Sequence, residues 1–472
     1  MTADSTNLHF HGLSIPPSCH QDESLNTQIQ PAGPSFEYQF RIPASQTPGL
    51  YWYHPHIHGN SEAQLLGGAS GALIVEEPET EATQGKHEAG NGSEPRKSAA
   101  NERQTKKSES TKDAPTKPPN QSLPERILVI RDQQPAPGAE PGHPAKDLSV
   151  NFIPVPYPDY PMAVLRTRPS RREFWRVLSA CADTYLDLGV LFNGKWRQLG
   201  LVAVDGAPLG RGPGHADGIS WQNDIPIPPG GRAEFVLDTP AEHVDAELLT
   251  LGVDTSLPND EDNPRTRTAT STTPVPESDD ANPPRQLIKI IASADADETP
   301  TRAALPEPGS ASNLARAKPI RTRRFYFSEK VLDPQHPATS TTYYITEQGA
   351  KPEAFHFSAA PNVTVRSGDV EDWVIENRSQ ESHAFHIHQL HFLTLQRDGA
   401  ATKEAYLRDT IDVPYWDGTS PQFPSVRLRM DFRDPNIVGK FPYHCHVLQH
   451  SDAGMMGVIE VKPGLKKSAK KK

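Results

Sequence analysis

The chemistry in this sequence is concentrated in its 19 histidines, most of which fall into four short clusters. They are His9-Phe10-His11-Gly12, then His54-Pro55-His56 inside Tyr51–Gly59, then His383-Ala384-Phe385-His386-Ile387-His388, and last His444-Cys445-His446 followed by His450 and Met455. Residues i and i+2 of a strand face the same side. Each H-x-H pair can therefore present two imidazoles to one pocket. One pair alone means little. Four pairs, drawn from opposite ends of the chain, supply eight imidazoles. That is enough to hold several metal ions at one junction, and it is hard to explain as scattered core or solvated histidines.

The fourth cluster carries more information. A thiolate, two imidazoles and a distant thioether form the ligand set of a blue-copper electron-transfer site. Cys445, His450 and Met455 supply three of the four, and His383 would be the second imidazole. Zinc competes for Cys and His, but it rarely takes a thioether and has no redox chemistry. Met455 stands beside Met456, where a core methionine would also stand. Its place after Gly454 and before the strand-like run Gly457–Val461 favours the ligand.

The motifs HFHG, WYHPH, HAFHIH and HCHVLQHSDAGMM resemble the four copper-binding signatures of the multicopper oxidases, and they occur in that family's order. The family includes laccases, bilirubin oxidases and cuprous oxidases. The resemblance implies four coppers: type 1 on His383, Cys445, His450 and Met455; type 2 on His9 and His386; and a type 3 pair on His11, His54, His56, His388, His444 and His446. It also implies that a one-electron donor and dioxygen are the partners, and that dioxygen is reduced to water. His444 and His446 flank Cys445. The backbone itself would then be the shortest covalent link between the electron-collecting and oxygen-reducing sites, which makes Cys445 the first catalytic candidate. Proton delivery needs carboxylates near such a cluster. Asp22 and Asp452 are the candidates, although Ser451 stands where bacterial members often carry Glu. His20, His58 and His391 have no motif role and read as outer-shell or surface groups.

Strands must position these clusters. Val426, Leu428, Met430 and Phe432 alternate with Arg427, Arg429 and Asp431, the period of a half-buried strand. Ile127–Ile130, Ala233–Leu237, Leu287–Ile291, Phe325–Phe327, Val370–Ile375 and Gly457–Val461 are short, β-branched or aromatic, and bounded by turn residues. No helical pattern lasts. The expected fold class is all-β, with three cupredoxin-like Greek-key β-sandwich domains, the first incomplete. We expect domains at 1–77, 126–293 and 319–464. Polar linkers are expected at 78–125 and 294–318, a disordered insert at 254–285 and a basic tail at 465–472. The polar segments lack the apolar surface needed to offset ordering entropy.

Composition narrows the function. A net charge of −11 argues against nucleic-acid affinity, and no apolar run is long enough for a membrane span. Three cysteines make neither a disulfide framework nor a four-thiolate zinc site, and Cys19 and Cys181 read as free thiols. Five methionines leave no soft cluster to funnel Cu(I). Phenols or aromatic amines are therefore the expected donors, with a cuprous or manganese metallo-oxidase as the alternative. A non-catalytic copper-binding cupredoxin protein would show substituted ligands, and none is substituted. A copper nitrite reductase would lack the four pairs. A monomer is expected, and the family implies a periplasmic or secreted protein, although the sequence as given has no signal peptide. Only eight residues precede His9. We therefore expect a shortened gene model or fragment, whose missing part would contain the early strands of the first domain and an export signal; if no coding strands lie upstream, the truncated sheet would instead leave an unpaired edge.

Overall fold

The structure, a computed structural model, describes residues 4–76, 122–135, 144–156, 159, 161–211, 217–256, 282–303, 305–309, 311–333, 340–357, 360–404 and 406–464. Most of the two expected polar inserts and the basic tail lie outside these residues.

Strands dominate, as the short β-branched runs require. The first block forms a three-stranded antiparallel sheet, His9–His11, Gly49–His54 and Gly71–Val75, in chain order. The second block packs a nine-stranded sheet on a six-stranded one. Its core joins Trp175, Leu201 and Phe235 of the larger sheet to Leu188, Val190 and Ile288 of the smaller. The third block packs a seven-stranded sheet, with Phe325, Trp373 and Leu428, on a five-stranded one, with Phe385, Tyr443 and Ile459. The molecule is all-β and cupredoxin-like, and among the described residues its first block carries the smallest sheet. Among the described residues no helix is long and apolar enough to cross a membrane.

The period-two segment behaves as its pattern requires. In the strand Ser425–Asp431, Val426, Leu428 and Met430 are buried. Arg427 and Arg429, on the other face, both bind the buried Asp372 at 2.7 Å. The expected linkers are more structured at their ends than their composition suggests. Leu123–Glu125 open the strand Leu123–Gln133. Within 294–318 lie the strand Thr301–Ala303 and the helix Ser312–Arg316. That helix buries Leu314, which packs with Val370 and Leu393. The insert is held at both rims, by the bridges Val253 to Asn282 and Ser256 to Glu381. Few apolar residues suffice where a neighbouring sheet supplies the rest of the surface.

One carboxyl in the second block makes stability depend on pH. Burial, followed by the neighbouring Asp224, lifts Asp187 to about 7. An unfolded Asp ionises near 3.9. Between those values the folded chain binds the extra proton, so stability falls as pH rises through the window. Asp187→Asn should leave the melting temperature unchanged near pH 4 and raise it above pH 7, as read by thermal scans at both pH values.

Candidate metal centre

Strand parity sorts the ligands. In the five-stranded sheet His386 is paired with His444, and Phe385 with Cys445. His386 and His388 therefore share a face with His444 and His446, while His383 and Cys445 point the other way, into the core of the third block. In the first block His9 is paired with His54 and His11 with Trp52, which puts His9, His11 and His54 on one face.

The two sets converge. Ligand-capable atoms lie within 4.8 Å of one another in the groups His9–His11–His386, His11–His54–His446 and His56–His388–His444. The rings of His9 and His388 stack at 3.6 Å, and those of His11 and His386 at 3.8 Å. A separate group, His383–Cys445–His450, lies across the strand. There the Cys445 sulfur is 3.6 Å from His383 Nδ1 and 3.8 Å from His450 Nδ1. The short helix Leu448–Asp452 returns His450 to this point. Met455 is fully buried in the same core, and its carbonyl accepts the Cys445 N–H at 3.1 Å.

The rings are held in the form a metal needs. His9 donates Nδ1–H to Asp22 at 3.0 Å, and His11 donates Nε2–H to Asp409 at 3.0 Å. His54, His386 and His444 donate Nδ1–H to the carbonyls of Pro55, Asp409 and Cys445, each at 2.8 Å. His383 donates to Ser379 at 2.6 Å, and His450 to Glu381 at 3.1 Å. Such partners fix the tautomer and leave the other nitrogen as an acceptor. The acceptors find no protein donor: His9 Nε2, His11 Nδ1, His54 Nε2 and His386 Nε2 are buried without a partner. The Nε2 atoms of His56 and His444 face each other at 3.1 Å. Burial, with added repulsion from neighbouring imidazoles, drives His11, His54, His56, His386, His388 and His446 well below the usual histidine range. Neutral imidazoles with orphaned lone pairs converging in a buried pocket suit late first-row metal ions, and a cysteine beside two imidazoles is compatible with copper.

Asp22 joins the cluster. It accepts from His9, from the Phe10 N–H at 2.9 Å and from the Gln389 amide. Asp452 does not. Burial lifts its carboxyl to about 6, and its partners are the Gly59 and Glu62 N–H groups at 2.8 and 2.9 Å. Asp452 therefore ties the helix Ser61–Leu66 to the helix Leu448–Asp452. His391 is an outer-shell group, bonded to the Asp205 carbonyl at 2.8 Å and 3.4 Å from Asp409. His20 is exposed and stacks on Phe36, whereas His58 sits edge-on to Phe355. Cys19 and Cys181 are unpaired, one exposed and one buried.

Asp409, Arg232, Asp205, Ser379 and Glu381 stand in no histidine motif, and none of them is picked out by motif spacing alone. Arg232 grips Asp409 with two bonds of 2.8 and 2.6 Å. Burial pulls the Asp409 carboxyl upward, but Arg232 outweighs it and holds the group well below the usual range. Arg232 comes from the second block, Asp409 from the third and His11 from the first, so one buried carboxylate joins all three.

Gly230 packs directly on the cluster. Its φ is +80°, and a Cβ there would lie 2.6 Å from the His446 ring. Gly230→Ala should destabilise the fold by at least about 1 kcal/mol through the backbone alone. It should also lower metal content by displacing His446. Calorimetry and metal analysis check the two effects separately.

Residues 1–80 and 328–465 match two family models, both described as multicopper oxidase. A multicopper oxidase of Staphylococcus aureus is 36% identical over 95 residues, 19% of this chain and 20% of that protein. A laccase of Haloferax volcanii is 31% identical over 94 residues, 19% and 15% of the two chains. An iron transport multicopper oxidase of Epichloe festucae is 39% identical over 77 residues, 16% and 11%. The matched region thus spans a fifth or less of each relative's length. Among solved structures, a metallo-oxidase from Campylobacter jejuni superposes with TM-score 0.62 at 20% identity, covering 97% of this chain and 80% of its own. A multicopper oxidase from Aquifex aeolicus gives 0.62 at 17%, covering 98% and 85%.

Proposed function

We propose that this chain, which belongs to the multicopper oxidase family, takes electrons from a one-electron donor beside His450 and passes them along Cys445 to a cluster that reduces dioxygen to water. The observation that carries the reading is the parity of one strand: Cys445 faces one ligand group while its neighbours His444 and His446 face the other. His383, Cys445, His450 and Met455 would hold the type 1 copper. His9 and His386 would hold the type 2 copper, and His11, His54, His56, His388, His444 and His446 the type 3 pair. Copper bound there would supply one-electron redox steps and a site for dioxygen.

The protein's own groups do the rest. Asp22 holds the His9 tautomer and is the acid best placed to move protons at the cluster. Cys445 provides the covalent path. Glu381 orients His450 and borders the donor site, a cavity of about 240 Å³ that Lys146, Asp183, Tyr185 and Gln449 also line. A phenol or aromatic amine in that cavity would lose an electron through the His450 edge, and Glu381 could take its proton. A metal-ion donor is the second reading, favoured by the carboxylates of Glu381 and Asp183 in the same cavity. The family resemblance supports a periplasmic or secreted protein.

The test is to load the purified chain with copper, count copper per chain, and follow oxygen uptake first with a phenol and then with Cu(I) or Mn(II). About four coppers, a blue colour and phenol-driven uptake are expected. Uptake with the metal ion alone would move the donor class to the second reading. Bound copper without any uptake would remove the enzymatic reading.

A further inference from the structure

A tyrosine that stands in no histidine motif lies against the His383–Cys445–His450 group. In the strand Thr341–Glu347, at the edge of the seven-stranded sheet, Tyr343 and Ile345 are buried in the core that also holds Cys445 and Met455. This strand is docked on the turn that follows His450. The Tyr343 N–H donates to the Ala453 carbonyl at 3.2 Å, and a Cβ at Gly454 would lie 3.0 Å from the Tyr343 carbonyl. The Tyr343 ring consequently stacks on the His450 imidazole, with centroids 4.2 Å apart and planes inclined by 24°. Its hydroxyl donates to Glu381 Oε2 at 3.2 Å. The same oxygen accepts the His450 Nε2–H at 3.1 Å. Glu381 is itself fixed from behind: its carbonyl accepts from Asn377 Nδ2 at 2.7 Å, and its backbone bridges to Ser256.

One carboxylate oxygen therefore serves two donors. A carboxylate that accepts the N–H of a ligand imidazole makes that imidazole more basic. A more basic imidazole favours the more positively charged state of the metal it binds, which lowers the reduction potential. A second donor on the same oxygen draws on the same electron density and opposes the effect. We propose that the Tyr343 hydroxyl, acting through Glu381, weakens the hold of this carboxylate on His450 and keeps the potential of the type 1 metal above the value that His450 and Glu381 alone would set. The inference rests on the reading that His383, Cys445, His450 and Met455 hold that metal. Tyr343 is a positioning residue: it touches a ligand ring and a carboxylate, and it does not line the donor cavity. A raised potential favours donors that release an electron reluctantly, phenols and aromatic amines among them. A tyrosine needed only for packing would be replaceable by phenylalanine, because the ring and its stack stay in place.

Spectroelectrochemical titration of the copper-loaded chain reads the potential from the blue band. Tyr343→Phe should lower the potential, changing the ratio of oxidised to reduced copper about threefold, where a one-electron couple moves about 59 mV per tenfold. Glu381→Gln takes the carboxylate charge from His450 directly and should move the potential the other way, by about tenfold in that ratio. Because the hydroxyl acts through the carboxylate, adding Tyr343→Phe to Glu381→Gln should shift the potential little further. Copper content and melting temperature are the folding controls for all three variants. An unsubstituted chain that binds copper without a blue band removes the reading on which the inference rests. With the blue band present, an unmoved or raised potential in Tyr343→Phe overturns the inference itself. Shifts that simply add in the double variant also overturn it, since the hydroxyl would then act by another route.

Discussion

Cys445→Ser should abolish the blue absorption and donor-driven oxygen uptake while leaving the imidazole cluster assembled. Cys445 is fully buried, with His383 and His450 around its sulfur, and its neighbours His444 and His446 point to the opposite face. A serine fits the space of the thiol, so the strand keeps its register and the neighbouring histidines keep their positions. A hydroxyl is a hard, weakly acidic ligand and does not replace a thiolate for copper. Loss of an outer-shell partner costs roughly 10–100-fold in affinity or activity; loss of this ligand should exceed that. Copper analysis should show metal retained at the cluster, and the melting temperature should move little. A serine variant that still turns over an organic donor would mean that electrons reach the cluster without Cys445.

Much of this centre is written in sequence parity. His383 and Cys445 differ by odd offsets from the histidines that follow or flank them, so any strand carrying them must split the two ligand groups between its faces. The same holds for Val426, Leu428 and Met430, whose alternation gives the strand and its buried side directly. The supporting groups were not legible in this way. Asp409 stands 398 residues from the His11 it orients, and Arg232 lies 177 residues from Asp409. Nothing in local spacing marks either one, because they are selected by the docking of three blocks. Glu381 and Ser379 lie two and four positions before His383 and could have been noticed, but an Asp, Glu or Ser near a ligand is too common to choose without coordinates. The linker between the second and third blocks looked unstructured for a related reason. Leu314 is one of two leucines in a poor sequence, and its burial is supplied by the sheet it reaches.

Asp409→Asn should lower both stability and copper content, and the two losses can be separated. The carboxylate is buried against Arg232 and accepts from the His11 ring, while the Asp409 backbone carbonyl accepts the His386 Nδ1–H. An amide removes the charge and turns N–H donors toward a guanidinium. Breaking one partner of a buried pair typically costs about 3–5 kcal/mol, because the other charge stays behind unpaired. Arg232 would retain Asp205 as its carboxylate partner, at 3.6 Å, beside the carbonyls of Leu50, Gly230 and Asp205. The copper effect has a different origin: His11 loses the acceptor that fixes its Nε2–H tautomer and frees Nδ1. An outer-shell loss of this kind weakens metal binding by about 10–100-fold. Replacing both partners with apolar groups, Asp409→Leu with Arg232→Met, tests the separation. Burial pushes the Asp205 carboxyl upward, and the variant removes Arg232, which opposes that push, so Asp205 can take a proton there. The double variant should therefore recover most of the melting temperature lost in Asp409→Asn, since a buried pair is often replaceable by apolar side chains. It should not recover copper, because His11 is left with only the Thr410 hydroxyl, at 3.3 Å, in place of the carboxylate. Restoration of full copper content in the apolar pair would show that Asp409 only joins the blocks and does not position the ligand.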